Sequence, residues 1–273
     1  MSPTLTLLLR MTLAILVGLL MMRMMKIKLD WRANAVRVYL YSSMSLAVGM
    51  LLCYLAAEYI SSGLMSLTFG IAPILSGVFG QRLLKEPRFS VIKKSALFIA
   101  LFGLFIVSQE NVSVSPSIWI GVLYILGAVT LFSLSGVLVK SVPVTLHPLC
   151  TTVGSLIVSW PLFLLFWWLA DGSLDYQSWG MRSVLSTVYL GVFGSLIGFW
   201  AYFYILTHLP ASTVSLVVMI TPVLSTAIGV WLNDEYFSMI LMLGGALVVT
   251  GLGLFQLGDK ILERPQKVTQ ITN

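Results

Sequence analysis

Charge is what this chain has least of. Only 10% of its 273 residues are Asp, Glu, Lys or Arg, against about 25% in ordinary soluble domains. So few charged groups cannot cover a water-facing surface, which excludes a soluble globular fold. Histidine and cysteine are scarcer still, at two each. Cys53 and Cys150 share no CxxC or metal-ligand spacing and read as small core residues. GxSxG, HExxH and nucleotide-binding loops are missing, as is any pair of acids inside an apolar segment. These absences argue against an enzyme and against ATP-driven work by this chain alone. They call for no cofactor and no metal.

What is present is apolar sequence: 58% of the chain is hydrophobic, with a mean hydropathy of +0.98. The apolar runs recur at close to the roughly 20 residues that cross a bilayer as a helix. They are continuous rather than alternating, which excludes a β-barrel. The pattern predicts an all-α polytopic membrane protein with nine transmembrane helices, over 5–22, 38–57, 61–83, 92–108, 117–139, 149–169, 184–206, 211–232 and 238–257. Connections are short, so no extramembrane domain is expected.

The net charge of +6 would suggest nucleic acid in a soluble chain, but its distribution points elsewhere. Fourteen of the 16 basic residues fall on one predicted side, in the loops holding Arg23–Arg37 and Arg82–Lys94, at Lys140, and in the tail from Lys260 to Lys267. Only Arg10 and Arg182 belong to the other side. The positive-inside rule makes the crowded side cytoplasmic, together with the C-terminus.

A second feature is internal. Leu64–Glu86, LMSLTFGIAPILSGVFGQRLLKE, aligns without gaps to Thr213–Glu235, TVSLVVMITPVLSTAIGVWLNDE, at an offset of 149. Nine of 23 positions coincide, among them Ser76/Ser225, Pro73/Pro222, Gly80/Gly229 and Glu86/Glu235. Five helices separate equivalent positions, and an odd number flips the copy, so the repeat is expected to be inverted. Such repeats present one site alternately to both sides of a membrane. The expected organisation is a first repeat over 1–110, a second over 117–258 and a tail over 259–273. The helices divide four plus five between the repeats.

Three stretches carry a family resemblance. They are LAAEYISSGLMSLTFGIAPILSGVFGQRLLKE with the following GLFIVS, YFYILTHLPASTVSLVVMITPVLSTAIGVWLNDE with the following MLGGALVVTGLGLF, and the opening Pro3 and Arg10. Together these resemble the EamA-type members of the drug/metabolite transporter superfamily. The resemblance implies ten helices, cytoplasmic termini and a central cavity between two repeats. Pro3 and Arg10 resemble the family's second helix, so the chain is expected to lack the first. A gap is then expected with walls on helices 61–83 and 117–139.

Site candidates follow from the kinks and the polar faces. Pro73 and Pro222 each remove a backbone donor and free the carbonyl four residues earlier, on Phe69 and Met219. Thr68, Ala72, Val218 and Thr221 flank these kinks as lining candidates. Thr130 and Ser133 give the helix at 117–139 a small polar face, which otherwise reads as helix-packing glue. Trp200 and Tyr204, one turn apart, offer a stacking wall; lipid-facing aromatics are the plainer alternative. Glu86 and Glu235 sit at helix corners, where capping the next helix explains them better than proton coupling.

The leading functional expectation is a secondary transporter in a bacterial inner membrane. It would be an exporter of amino acids or related neutral, zwitterionic or amphipathic metabolites, working by alternating access. The competing expectation is a truncated, non-transporting relative acting as an interaction partner. Expected partners are the solute and membrane lipids, with no nucleic acid. The small-residue faces leave internal packing or a homo-oligomer open.

Overall fold

A computed structural model of the chain describes residues 3–60, 62–108, 118–170, 172, 179–217, 220 and 239–262. Among these the chain is helical, with no strand. Among the described residues five helices are long and apolar enough to cross a membrane. They are α1 (Thr4–Met24, extending back to Pro3), α2 (Ala33–Ala57), α6 (Ile118–Ser141), α7 (Pro148–Ala170) and α8 (Met181–His208). Between α2 and α6 lie α3 (Ser62–Phe69), α4 (Ala72–Leu83) and α5 (Val91–Ser108). After α8 come α9 (Ala211–Val214) and α10 (Met239–Leu262), most of the helix expected over 211–232 lying outside the described residues.

The helix boundaries have local causes. α1 ends where Lys26 takes the left-handed conformation, with φ at 57°. That turn lets the Lys26 and Ile27 N–H groups reach back to the carbonyls of Arg23 and Met22, satisfying two helix-end acceptors. The loop that follows is pinned by Tyr39, whose hydroxyl donates to the Asp30 carbonyl at 2.9 Å. Tyr39 is fully buried and its ring lies flat against Gly154 of α7.

The single helix expected over 61–83 is instead two. The chain breaks at Gly70 and Ile71, and Pro73 occupies the first turn of α4 rather than the middle of a kinked helix. A first-turn proline lacks only an N–H that would have had no partner there anyway, so the break removes the energetic penalty of a mid-helix proline.

Both α2 and α8 contain a π-helical segment, Met44–Gly49 in the first and Leu190–Ile197 in the second. Adding the repeat offset of 149 to 44–49 gives 193–198, which overlaps the second segment. The two π-helical segments thus overlap at the same offset that relates Leu64–Glu86 to Thr213–Glu235.

Packing follows the same pairing. α1 lies against α7, and α5 against α10; each pair is related by the same offset. A bilayer does not press helix on helix through the hydrophobic effect, so close approach of small residues and dispersion must do so. Gly103 of α5 shows the result: a Cβ there would lie 2.6 Å from the Gly244 carbonyl oxygen of α10 and 2.8 Å from the Val248 nitrogen. Reciprocally, a Cβ on Gly251 would lie 2.7 Å from both the Ala100 nitrogen and the Ala96 oxygen. Outward faces carry exposed Phe98, Phe102, Trp119 and Leu123, as expected of helices bathed in hydrocarbon.

Candidate functional site

A cavity of about 410 Å³ lies where α2, α4, α6, α8 and α9 meet the end of α3. The size is at the small-ligand end of ordinary binding sites, which run from about 300 to 1,000 Å³. Its walls are mostly apolar and aromatic, with Phe69, Phe132, Phe199, Tyr202 and Phe203. Both π-helical segments border it, through Ser45 and Leu46 on α2 and Gly194 on α8. Ser45 and Gly194 are equivalent positions under the 149-residue offset.

The polar groups on the wall divide into two kinds. Ser45 and Ser133 are already engaged: Ser45 shares a 2.9 Å hydrogen bond with Ser135, and Ser133 donates to the Ala72 carbonyl at 3.3 Å. The Ser76 and Tyr202 hydroxyls make no hydrogen bond among the described residues, though both border the cavity. They are the free hydrogen-bonding groups a solute would meet. Gly136 leaves room for the Tyr202 oxygen, which would lie 2.8 Å from a Cβ at that position.

Of the candidates read from sequence, Phe69, Ala72 and Ser133 line this cavity. Thr68 and Pro73 are buried beside it without forming its wall, and Thr68 donates back to the Leu64 carbonyl. Thr130 is exposed and bonds the Leu126 carbonyl, so it faces away. Trp200 packs against the core built from α1, α2 and α7, while Tyr204 is 56% exposed beside His208. The inward face of that aromatic run is Phe199, Tyr202 and Phe203. Helical periodicity gives two aromatic faces there and does not say which turns inward.

Glu86 does not cap the following helix. The Ser90 hydroxyl accepts the Lys93 N–H at the start of α5 instead. Lys85 takes a left-handed conformation, φ 55°, and the chain folds back so that Glu86 lies over Gly80. Val218, Met219, Thr221, Pro222 and Glu235 lie outside the described residues. Helices 61–83 and 117–139, the expected walls of a gap, both border the cavity. The two helices nevertheless touch along one edge, through the Ser133–Ala72 bond and the Phe69–Phe132 rings at 5.9 Å.

The charge distribution along the sequence puts Arg10 in the outer set. The structure buries it, seven residues into α1. Its Nε donates to the Ser195 hydroxyl at 2.6 Å and its Nη1 to the Tyr54 hydroxyl at 3.3 Å. Ser76 was missed too, although its identity with Ser225 in the repeat was a signal that could have found it.

Known proteins with similar sequence or fold place this architecture. An uncharacterized transporter of Archaeoglobus fulgidus is 26% identical over 82% of this chain and 78% of its own length. The uncharacterized transporter YoaV of Bacillus subtilis is 25% identical over 82% of this chain and 77% of its own. A solved crystal structure shares the fold at a TM-score of 0.77, with 19% identity, covering 95% of this chain and 90% of that one. Residues 119–256, from the start of α6 into α10, match the EamA-like transporter family. Long apolar helices, repeated helix pairs and this match lead to one conclusion: the chain is an integral membrane protein belonging to the EamA-like transporter family.

Proposed function

We propose that the protein is a secondary carrier exporting small organic solutes, amino acids or related amphipathic metabolites, by alternating access. The observation that carries this reading is the cavity itself. It is small, apolar and aromatic, it offers the free hydroxyls of Ser76 and Tyr202, and it lies between the equivalent π-helical segments of α2 and α8. A site shared by two copies of one unit is the arrangement that lets a carrier expose the same groups to either side. π-Helical turns are strained insertions that often mark functional positions, and here they supply paired points at which the two halves can flex. The repeat is proposed to be inverted, with the C-terminus in the cytoplasm of a bacterial cell.

The test is transport in proteoliposomes against a panel of amino acids and small aromatic metabolites, with a variant that fills the cavity. A Cβ on the cavity residue Gly198 meets only the Phe193 carbonyl oxygen, at an unstrained 3.5 Å. Gly198→Leu is therefore expected to fold normally and abolish flux. Undiminished flux in that variant would place the route elsewhere.

A further inference from the structure

Arg10 is the one arginine that the described structure buries within an apolar helix. A buried charge needs a partner, because an isolated ion in a low-dielectric interior costs many kcal/mol. Among the described residues no carboxylate lies within ion-pair distance of it, and the single ion pair there, Arg32–Asp30, is at the surface. Glu58, one turn beyond Tyr54, is exposed and unpaired with it. Two of the five guanidinium N–H donors are committed, to the neutral oxygens of Ser195 and Tyr54. The remaining nitrogen, Nη2, lies 3.6 Å from where a Cβ of Gly194 would stand, and Gly194 is part of the cavity wall. Gly194 borders the cavity and carries no side chain that would stand against Nη2, although Arg10, Ser195 and Tyr54 do not themselves line the cavity.

We infer that Arg10 is an anion site that binds the carboxylate of the transported solute, with Ser195 and Tyr54 holding the guanidinium and the apolar part of the solute lying among Phe132, Phe199 and Phe203. The inference rests on the carrier reading and narrows its substrate class to small apolar carboxylates, zwitterions included. Arginine suits the role because its planar fork matches a carboxylate and stays charged when desolvated. The two hydroxyls orient the fork and leave the carboxylate to supply the charge that neither provides.

The test uses the full chain, purified, with phenylacetate and L-phenylalanine as carboxylate probes and phenylacetamide as the uncharged match. Thermal unfolding with increasing probe reads the affinity. The wild type is expected to bind phenylacetate about tenfold more tightly than phenylacetamide, as a charge-assisted bidentate bond implies. Arg10→Gln should erase that preference without weakening phenylacetamide, Arg10→Lys should keep part of it, and Tyr54→Phe should reduce it. Should Arg10→Gln fail to fold, Tyr54→Phe and Ser195→Ala carry the test. A wild type that binds neither carboxylate, or shows no preference for it, overturns the site; so does a preference unchanged in the folded variants. Flux in proteoliposomes separates this outcome from failure of the carrier reading. Equal flux of phenylacetate and phenylacetamide removes the anion site and leaves the carrier, whereas carboxylate binding without flux of any solute leaves the site and removes the carrier.

Discussion

Glycines decide several contacts at the residue scale, and they differ in what they tolerate. Gly154 of α7 lies under the Tyr39 ring, and an added Cβ would stand 2.4 to 2.7 Å from three ring atoms. Tyr39 cannot retreat, because its hydroxyl is held by the Asp30 carbonyl and by Cys150. Gly154→Val should therefore cost at least about 1–3 kcal/mol through overpacking, measured as a lowered unfolding temperature of the purified protein. Ser76→Ala removes a hydroxyl with no bond to lose among the described residues. It should leave stability within about 0.5 kcal/mol and reduce transport, which a flux assay alongside the same melting curve would check. A melting temperature that falls with flux would mean the hydroxyl is structural. Sequence alone offered polar residues on helix faces and could not rank them. Ser133 and Thr130 look equivalent three residues apart, yet one turns to the cavity and the other away.

Most of the elements were legible at their own scale, because apolar length and short polar connections are properties of sequence. The span read as 117–139 is Ile118–Ser141, and that read as 149–169 is Pro148–Ala170. The π-helical segments were not legible. An inserted residue leaves hydropathy unchanged, and only the backbone hydrogen-bond pattern records it. The break before Pro73 was read as a kink for a related reason: proline removes one bond, and whether the chain bends or restarts depends on what packs around it. The α5–α10 pair gives a prediction at this scale. Gly103→Leu and Gly251→Leu would each set a side chain against backbone atoms 2.6 to 2.8 Å from its Cβ. Each should separate the two helices and lower the unfolding temperature. The double variant should cost less than the sum, because both open the same interface. Additive losses would show that the two glycines act on separate contacts.

Charge distribution governs the whole molecule. With 14 of the 16 basic residues on one predicted side, the positive-inside bias orients the chain. A reporter fused after Asn273 should be active in the cytoplasm, and one inserted between Asp171 and Arg182 should be active outside. Matching locations for both reporters would break the assignment of an odd number of crossings between them. Reversed locations would overturn the orientation itself.

The sequence by itself determined the class: a charge-poor, apolar chain in runs of membrane-spanning length, with an internal duplication that keeps proline, glycine and glutamate in register. Those are one-dimensional properties, set by how much apolar length must meet hydrocarbon and by which residues recur. The tertiary structure alone decided which faces turn inward. It selected Phe199, Tyr202 and Phe203 over Trp200 and Tyr204, freed Ser76 while engaging Ser133, and drew Arg10 from a predicted outer surface into buried contacts with Ser195 and Tyr54. The reason is physical. In a lipid-embedded bundle almost every face is apolar, so hydropathy cannot tell the interior from the surroundings, and close approach between helices makes that choice.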